Sequence, residues 1–252
     1  MNEQTFFNYL IIAWFIMGIA TFITLFFISA PYGRHVTQYW GITIKNRTGW
    51  IVMESTAPLI MAICFLIGTN QKTIPEIVFL LLWEAHYIHR AYIYPLHRRD
   101  GKPMPLLVVC LGFIFNSVNG YLNGRYIFSI SAGYENSWLS DPRFITGTLL
   151  FIIGFIINRQ SDEILRKLRR PGESGYYIAN TGLYRWISSP NYLGEIIIWA
   201  GWALATWSPA GLAFAFWTTA NLLPRARTNH LWYQKYFPNY PSDRKALLPK
   251  IW

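Results

Sequence analysis

Charged side chains are scarce in this chain, at 13% of 252 residues. A soluble domain carries about 25%, so no room is left for a separate soluble domain. Acids are scarcer than bases: 12 Asp and Glu stand against 22 Lys and Arg, for a formal net charge of +10. Cysteine occurs only as Cys64 and Cys110. Both lie in apolar runs and read as packing residues, not as a disulfide or a metal site. Several chemistries lack their motif. The chain has no G-x-G-x-x-G after a strand, no P-loop, no H-E-x-x-H and no C-x-x-C. A nucleotide would have to be held by side chains of a helical bundle rather than by a Rossmann turn. A basic n-region is also missing. The first apolar run follows Met-Asn-Glu-Gln and reads as a retained span rather than a signal peptide.

What is abundant is hydrocarbon. Hydrophobic residues make up 53% of the chain and aromatic residues 18%, and they cluster in long runs. About 20 apolar helical residues cross a hydrocarbon core. Candidate spans are Tyr9–Ala30, Ile51–Gly68, Pro75–Tyr94, Pro105–Asn123, Phe144–Asn158, Leu193–Trp207 and Ala210–Leu223. The expected fold is therefore all-α and polytopic, one membrane domain over residues 1–252 with seven transmembrane helices.

The basic residues orient it. Arg34, Lys45 and Arg47 lie between the first two spans, and Arg98, Arg99 and Lys102 between the third and fourth. Arg159, Arg166, Lys167, Arg169, Arg170 and Arg185 lie between the fifth and sixth, and six more basic residues follow the last span. The other links carry one, two and none. Basic residues collect on the cytoplasmic side, which puts the N-terminus outside and the tail in the cytosol. The same rule accounts for the net charge without nucleic acid.

Polar groups inside the spans need a reason. A charged residue near the bilayer centre costs about 2.5–3.5 kcal/mol on insertion scales. Glu54 opens the second span, and the third contains Glu84, His86, Tyr87, His89 and Arg90. Spacings of three and four set Glu84, Tyr87 and Arg90 near one stripe. Asn116, Asn119 and Asn123 share a face of the fourth span. The plainer account is interhelical glue; convergence of so many unlike groups favours a polar cavity inside the bundle. Beyond the fifth span, Asn158, Asp162 and Arg169 recur near helical spacing until Pro171-Gly172 stops the helix. That segment is either an amphipathic helix on anionic lipid or a site for a phosphate-bearing ligand. The sixth span opens on Pro190-Asn191-Tyr192 and carries Glu195 one turn on. A structural pair with a nearby arginine would explain that carboxylate as well as a ligand would.

The segments NRQSDEILRKLRRPGE (158–173), NYLGEIIIWAGWALATWS (191–208) and YPSDRKALLPKIW (240–252) resemble the membrane steroid 5α-reductase family, the 3-oxo-5α-steroid 4-dehydrogenases. So do PYGRH (31–35), GWIVME (49–54) and HYIHRAYIYP (86–95). The likeness runs in order through nearly the whole chain and suits a bacterial member in an inner membrane. It implies seven membrane helices and NADPH-dependent reduction of the 4,5 double bond of a 3-oxo-Δ4 steroid, with hydride delivered to C5 and a proton to C4. By the same resemblance Tyr87 donates to the C3 carbonyl and Glu54 supports that contact. The cofactor positions are Tyr32, Asn158, Asp162, Arg169, Tyr176, Asn191, Glu195, Trp199, Arg225 and Tyr233. The resemblance departs at Met53, where human members have Gln, and at Asn229, where they have His. Met53 with Trp50, Phe115, Phe214 and Trp217 would face the substrate, a flat apolar body suited to an aromatic slot. The expected partners are a steroid or related lipid enone and membrane lipids, bound by a monomer. An isoprenylcysteine-type methyltransferase would explain the C-terminal helices but gives Glu54 and Tyr87 no task. An enoyl reductase of another lipid keeps both. A non-catalytic lipid-binding protein leaves the cost of the buried polar groups unexplained.

Overall fold

The computed structural model describes residues 2–28, 41–97, 103–168 and 175–252. Among them the chain is helical almost throughout. α1 is Glu3–Phe27, α2 Asn46–Ile67, α3 Ile74–Ile88, α4 Tyr94–His97, α5 Leu106–Arg125, α6 Pro142–Lys167, α7 Pro190–Thr206 and α8 Pro209–Tyr236. A wide π turn, His89–Ile93, fuses α3 to α4, and a second, Tyr126–Ile130, extends α5. Seven long helical segments result among the described residues, one at each expected span. Four stretches, Glu3–Phe27, Asn46–Ile67, Leu106–Ile130 and Pro142–Lys167, are long and apolar enough to cross a membrane. They present large apolar side chains outward, such as Ile16, Leu59, Leu111 and Leu149. This is the surface of an integral membrane protein. Cys64 packs inside as expected, but Cys110 is exposed on α5, so only the former is a packing residue of the fold.

Several helices outrun the apolar spans that announce them. α6 continues to Lys167, carrying Asn158 and Asp162 on consecutive turns. α8 passes through Pro224 and ends only at Tyr236. The segment beyond Leu223 is thus not an irregular tail: Arg225, Asn229 and Tyr233 recur every four residues along one helical stripe.

The chain forms two compact units. The first comprises Met1–Ile12, Pro31–Ile145 and Thr206–Gly211. Its centre is the antiparallel pairing of α2 with α5, begun by a two-residue ladder that sets Thr43 opposite Pro105 and Ile44 opposite Met104. The two helices meet across a row of small residues on α5. A Cβ on Gly120 would lie 3.3 Å from the Ala57 carbonyl oxygen, and Gly112 accommodates the Met53 side chain. α3 packs on the other side of α2. At one end of this unit Arg125 grips Glu3 with two hydrogen bonds of 2.6 and 2.7 Å. Arg143 pairs with Asp141 at 2.8 Å and stacks on the rings of Trp138 and Trp207, 4.4 and 5.0 Å from their centroids. That pairing holds the exposed Asp141 carboxyl down at about 2.

The second unit comprises Ala13–Ala30, Thr146–Ala205 and Leu212–Trp252. Here α6 and α7 touch backbone to backbone. A Cβ on Gly154 would lie 2.6 Å from the Ile198 nitrogen, and one on Gly201 would lie 2.6 Å from the Gly147 carbonyl oxygen. Glycines seven residues apart on each helix make this seam, the membrane device for closest helix approach. The C-terminal segment then folds back beneath α7. Ile187 bridges Lys245, and Ser188 N–H donates to the Lys245 carbonyl at 2.8 Å. Arg244, 3% exposed, donates to the Ala179 carbonyl and to Asn180 Oδ1, both at 2.9 Å.

Candidate functional site

Two polar clusters stand out, one in each unit. In the first, Glu54 is buried on α2 and Tyr87 on α3, the latter 3% exposed. Two tryptophans fix how these helices meet. Trp50 Nε1 donates to the Arg90 carbonyl at 2.9 Å, and Trp83 Nε1 donates to the Ala57 carbonyl at 3.2 Å. Trp50 lies four residues before Glu54 and Arg90 three after Tyr87. Ala57 lies three after Glu54 and Trp83 four before Tyr87. In an antiparallel pair, two such rungs bracket Glu54 and Tyr87 at the same level.

Pro95 makes the first rung possible. It has no N–H, so it cannot continue the ordinary ladder. The helix answers with a π turn in which Tyr94 N–H bonds the His89 carbonyl. The Arg90 carbonyl is left available, and the Trp50 indole takes it.

The Glu54 carboxylate is approached from both sides. Arg90 Nε is 4.0 Å from Oε1, and Asn116 Nδ2 is 3.5 Å from Oε2. Asn116 also donates to the Met53 carbonyl at 2.8 Å. The Arg90 guanidinium lies 5.0 Å from the Trp50 ring centroid and 5.6 Å from that of Tyr94. The Tyr87 ring packs against Trp83 at 4.9 Å and His86 at 5.2 Å. Trp50, Met53 and Phe115 are half-buried residues of the same unit.

The second cluster begins just past the α6–α7 seam. Asn158 Nδ2 donates to the Asn191 carbonyl at 3.0 Å and to Glu195 Oε1 at 3.3 Å. Asn191 Nδ2 donates to Asp162 Oδ1 at 3.1 Å, and Trp199 Nε1 to Glu195 Oε2 at 3.2 Å. One chain of bonds therefore runs from Asp162 through Asn191, Asn158 and Glu195 to Trp199. Phe214 closes its apolar end, with ring centroids 3.9 Å apart. The sequence reading allowed Glu195 a structural arginine partner. Its printed partners are instead an amide and an indole.

Beside this chain, Tyr192 Oη accepts from Arg225 Nε at 3.0 Å and from Asn229 Nδ2 at 3.3 Å. Tyr233 is buried and stacks on Tyr240 at 5.3 Å. Tyr176 meets Trp232 edge-on at 4.9 Å. The loop ahead of Asn191 is pinned by Ser188, whose Oγ contacts His230 Nδ1 at 2.6 Å and Tyr240 Oη at 2.7 Å. Trp217 is committed to α1, donating to the Trp14 carbonyl at 2.8 Å.

Asn158, Asp162, Asn191, Glu195 and Trp199 are thus brought together. Arg225, Tyr176 and Tyr233 belong to the same unit. Tyr32 and Arg169 lie outside the described residues. Sequence reasoning did not single out Arg90 or Asn116 as neighbours of Glu54, nor Tyr192 as an acceptor. The polar faces of α3 and α5 were visible, but not which member of each reached across.

Residues 102–252 match the family described as 3-oxo-5-alpha-steroid 4-dehydrogenase. The chain is 41% identical over 237 residues to 3-oxo-5-alpha-steroid 4-dehydrogenase 1 of Bos taurus, covering 92% of each. It is 39% identical over 258 residues to steroid 5-alpha-reductase DET2 of Gossypium hirsutum, covering 100% of this chain and 99% of the relative. With 3-oxo-5-alpha-steroid 4-dehydrogenase 1 of Homo sapiens it shares 41% identity over 223 residues, 88% of this chain and 86% of the relative. With likeness of this extent, both polar clusters fall inside matched sequence, and the chain belongs to the steroid 5-alpha-reductase family of oxidoreductases.

Proposed function

We propose that this protein reduces the 4,5 double bond of a 3-oxo-Δ4 steroid with NADPH. The observation that carries the reading is the level pairing of a buried carboxylate and a buried phenol, Glu54 and Tyr87, between two indole rungs. Hydride addition at C5 of an enone drives negative charge onto the C3 carbonyl oxygen. The Tyr87 hydroxyl donates a hydrogen bond to that oxygen, and Glu54 holds the phenol in place. In a dry site such a donor is worth about 2.7–4 kcal/mol, roughly 10²–10³ in kcat. The charge appears only as the hydride arrives, so the bond strengthens in the transition state and raises kcat rather than mere affinity.

The second cluster fits the nucleotide by the chemistry of its donors. Carboxylates and amides such as Asp162, Glu195, Asn158 and Asn191 suit ribose hydroxyls and a carboxamide, and Arg225 suits a phosphate. When bound, NADPH supplies the hydride. Asn158 would orient Asn191 and Glu195 toward it, while Trp199 and Phe214 keep water from the apolar end. Tyr32, Arg169, Tyr176 and Tyr233 complete the cofactor set, and Trp50, Met53, Phe115, Phe214 and Trp217 the steroid wall. The chain crosses the membrane seven times, with the N-terminus outside and the C-terminus in the cytosol, in keeping with its basic links.

The test is purified protein in detergent with testosterone or progesterone, following NADPH oxidation and the 5α product. Tyr87→Phe should lower kcat by about a hundredfold or more, the size expected for one lost oxyanion donor. Glu54→Gln should also lower it. Full turnover in both variants would remove the assignment, and methyl transfer from S-adenosylmethionine would move the protein to another chemistry.

A further inference from the structure

The face of α5 that meets α2 carries Gly112, Asn116 and Gly120 at four-residue intervals, with Gly124 one turn further on. Four-residue steps stay on one side of a helix. The glycines let α2 approach: Met53 fills the space over Gly112, and Gly120 stands opposite Ala57 and Ile60. In a row built for close contact, Asn116 alone has a side chain with reach. It is 5% exposed. A polar residue in such a seam would ordinarily be selected against, because a small apolar one packs as well and needs no hydrogen bond.

Where the side chain reaches is specific. Nδ2 lies 2.8 Å from the Met53 carbonyl and 3.5 Å from Glu54 Oε2. The short bond fixes the amide to the α2 backbone at the residue before Glu54. The longer one then sets a fixed donor beside the carboxylate. Arg90 stands 4.0 Å from the other oxygen, itself held over Trp50 and Tyr94. The carboxylate thus has a donor against each oxygen, and each donor is anchored elsewhere.

We propose that Asn116 is a positioning residue for Glu54. It fixes the plane of the carboxylate from the opposite helix, so that Glu54 meets the Tyr87 phenol in one orientation. The proposal rests on the role given above to Glu54 and Tyr87. It adds a third helix, α5, to the machinery, and it assigns the side chain that carries the effect.

A double-mutant cycle tests it. Asn116→Ala suits the small-residue row and should fold. Asn116→Asp keeps the shape and removes the donor. Each should lower kcat roughly tenfold, the scale of one hydrogen bond to a charged group, with the steroid KM and NADPH affinity within about twofold of the parent. Added to Glu54→Gln, either substitution should cost no further activity, because Asn116 acts through the carboxylate. Unchanged kcat in both single variants overturns the proposal. So does a full additive loss in the Glu54→Gln background, which would mark Asn116 as packing only. If Glu54→Gln and Tyr87→Phe are themselves fully active, the underlying reading fails first, and its failure is seen in variants that leave Asn116 untouched.

Discussion

A methyl group at Gly194 puts the α6–α7 seam to a quantitative test. A Cβ there would stand 2.6 Å from the Asn158 nitrogen and 2.8 Å from the Gly154 carbonyl oxygen. Carbon settles against such atoms at about 3.5 Å, so Gly194→Ala must push the helices apart by roughly 1 Å. Asn158 bonds the Asn191 carbonyl at 3.0 Å and Glu195 at 3.3 Å. Lengthened by that amount, both pass the limit at which a hydrogen bond holds. A neutral bond contributes about 1 kcal/mol and one to a carboxylate about 1.5–3 kcal/mol. If the cluster binds the nucleotide as proposed, NADPH affinity should fall by roughly 30-fold or more. Overpacking should also lower stability by about 1–3 kcal/mol. Quenching of tryptophan fluorescence by NADPH reads the first effect, and thermal unfolding in detergent the second. An alanine variant that binds NADPH within about twofold of the parent and melts at the same temperature would refute the seam as the device that sets the cluster.

Three other expectations can be measured together. Arg244→Met should loosen the C-terminal segment, because it removes a buried guanidinium's bonds to Ala179 and Asn180. The loss should be about 2–4 kcal/mol by thermal or denaturant unfolding, with faster proteolysis near Lys245. Asp141 has its pKa depressed from 3.8 to about 2 by Arg143, so its stabilising contribution is full above about pH 4 and is lost as pH falls toward 2. Asp141→Asn should flatten that part of the stability–pH curve, and an unchanged acid limb would show the pair to be idle. Finally, the arginine-rich segment after α6 predicts tighter binding of NADPH than of NADH; equal affinities would leave those arginines to the lipid surface.

Hydrophobic runs announced the helices because burial in lipid is a long-range average that tolerates local error. They did not announce helix ends. α6 and α8 continue past Asn158 and Leu223 on polar residues that satisfy a helix as well as apolar ones do, and Pro224 is absorbed within α8. The polar faces of α3 and α5 were legible as stripes. That Asn116 and Arg90 converge on Glu54 was not, since it depends on which helix α2 meets and at what register. The glycines at 147, 154, 194 and 201 were in plain view, but a missing side chain reports a neighbour only when the neighbour is known. Asn191 and Glu195 were readable as one turn of one face. Their shared partner on another helix, Asn158, became a site residue only through the resemblance.

The wide turn at His89–Ile93 has a consequence for how this chain can change. It holds one residue more than an ordinary helix would use to travel the same way. Removing Ala91 would leave Tyr87 where it is and swing everything after the turn by about 100°. Tyr94 would turn away from the guanidinium it now shelters, and the indole of Trp50 would lose its acceptor. A swap of one side chain for another can only weaken that arrangement by degrees, whereas a single-codon deletion would dismantle it at a stroke. Length, rather than chemical character, is what this stretch of sequence has to conserve.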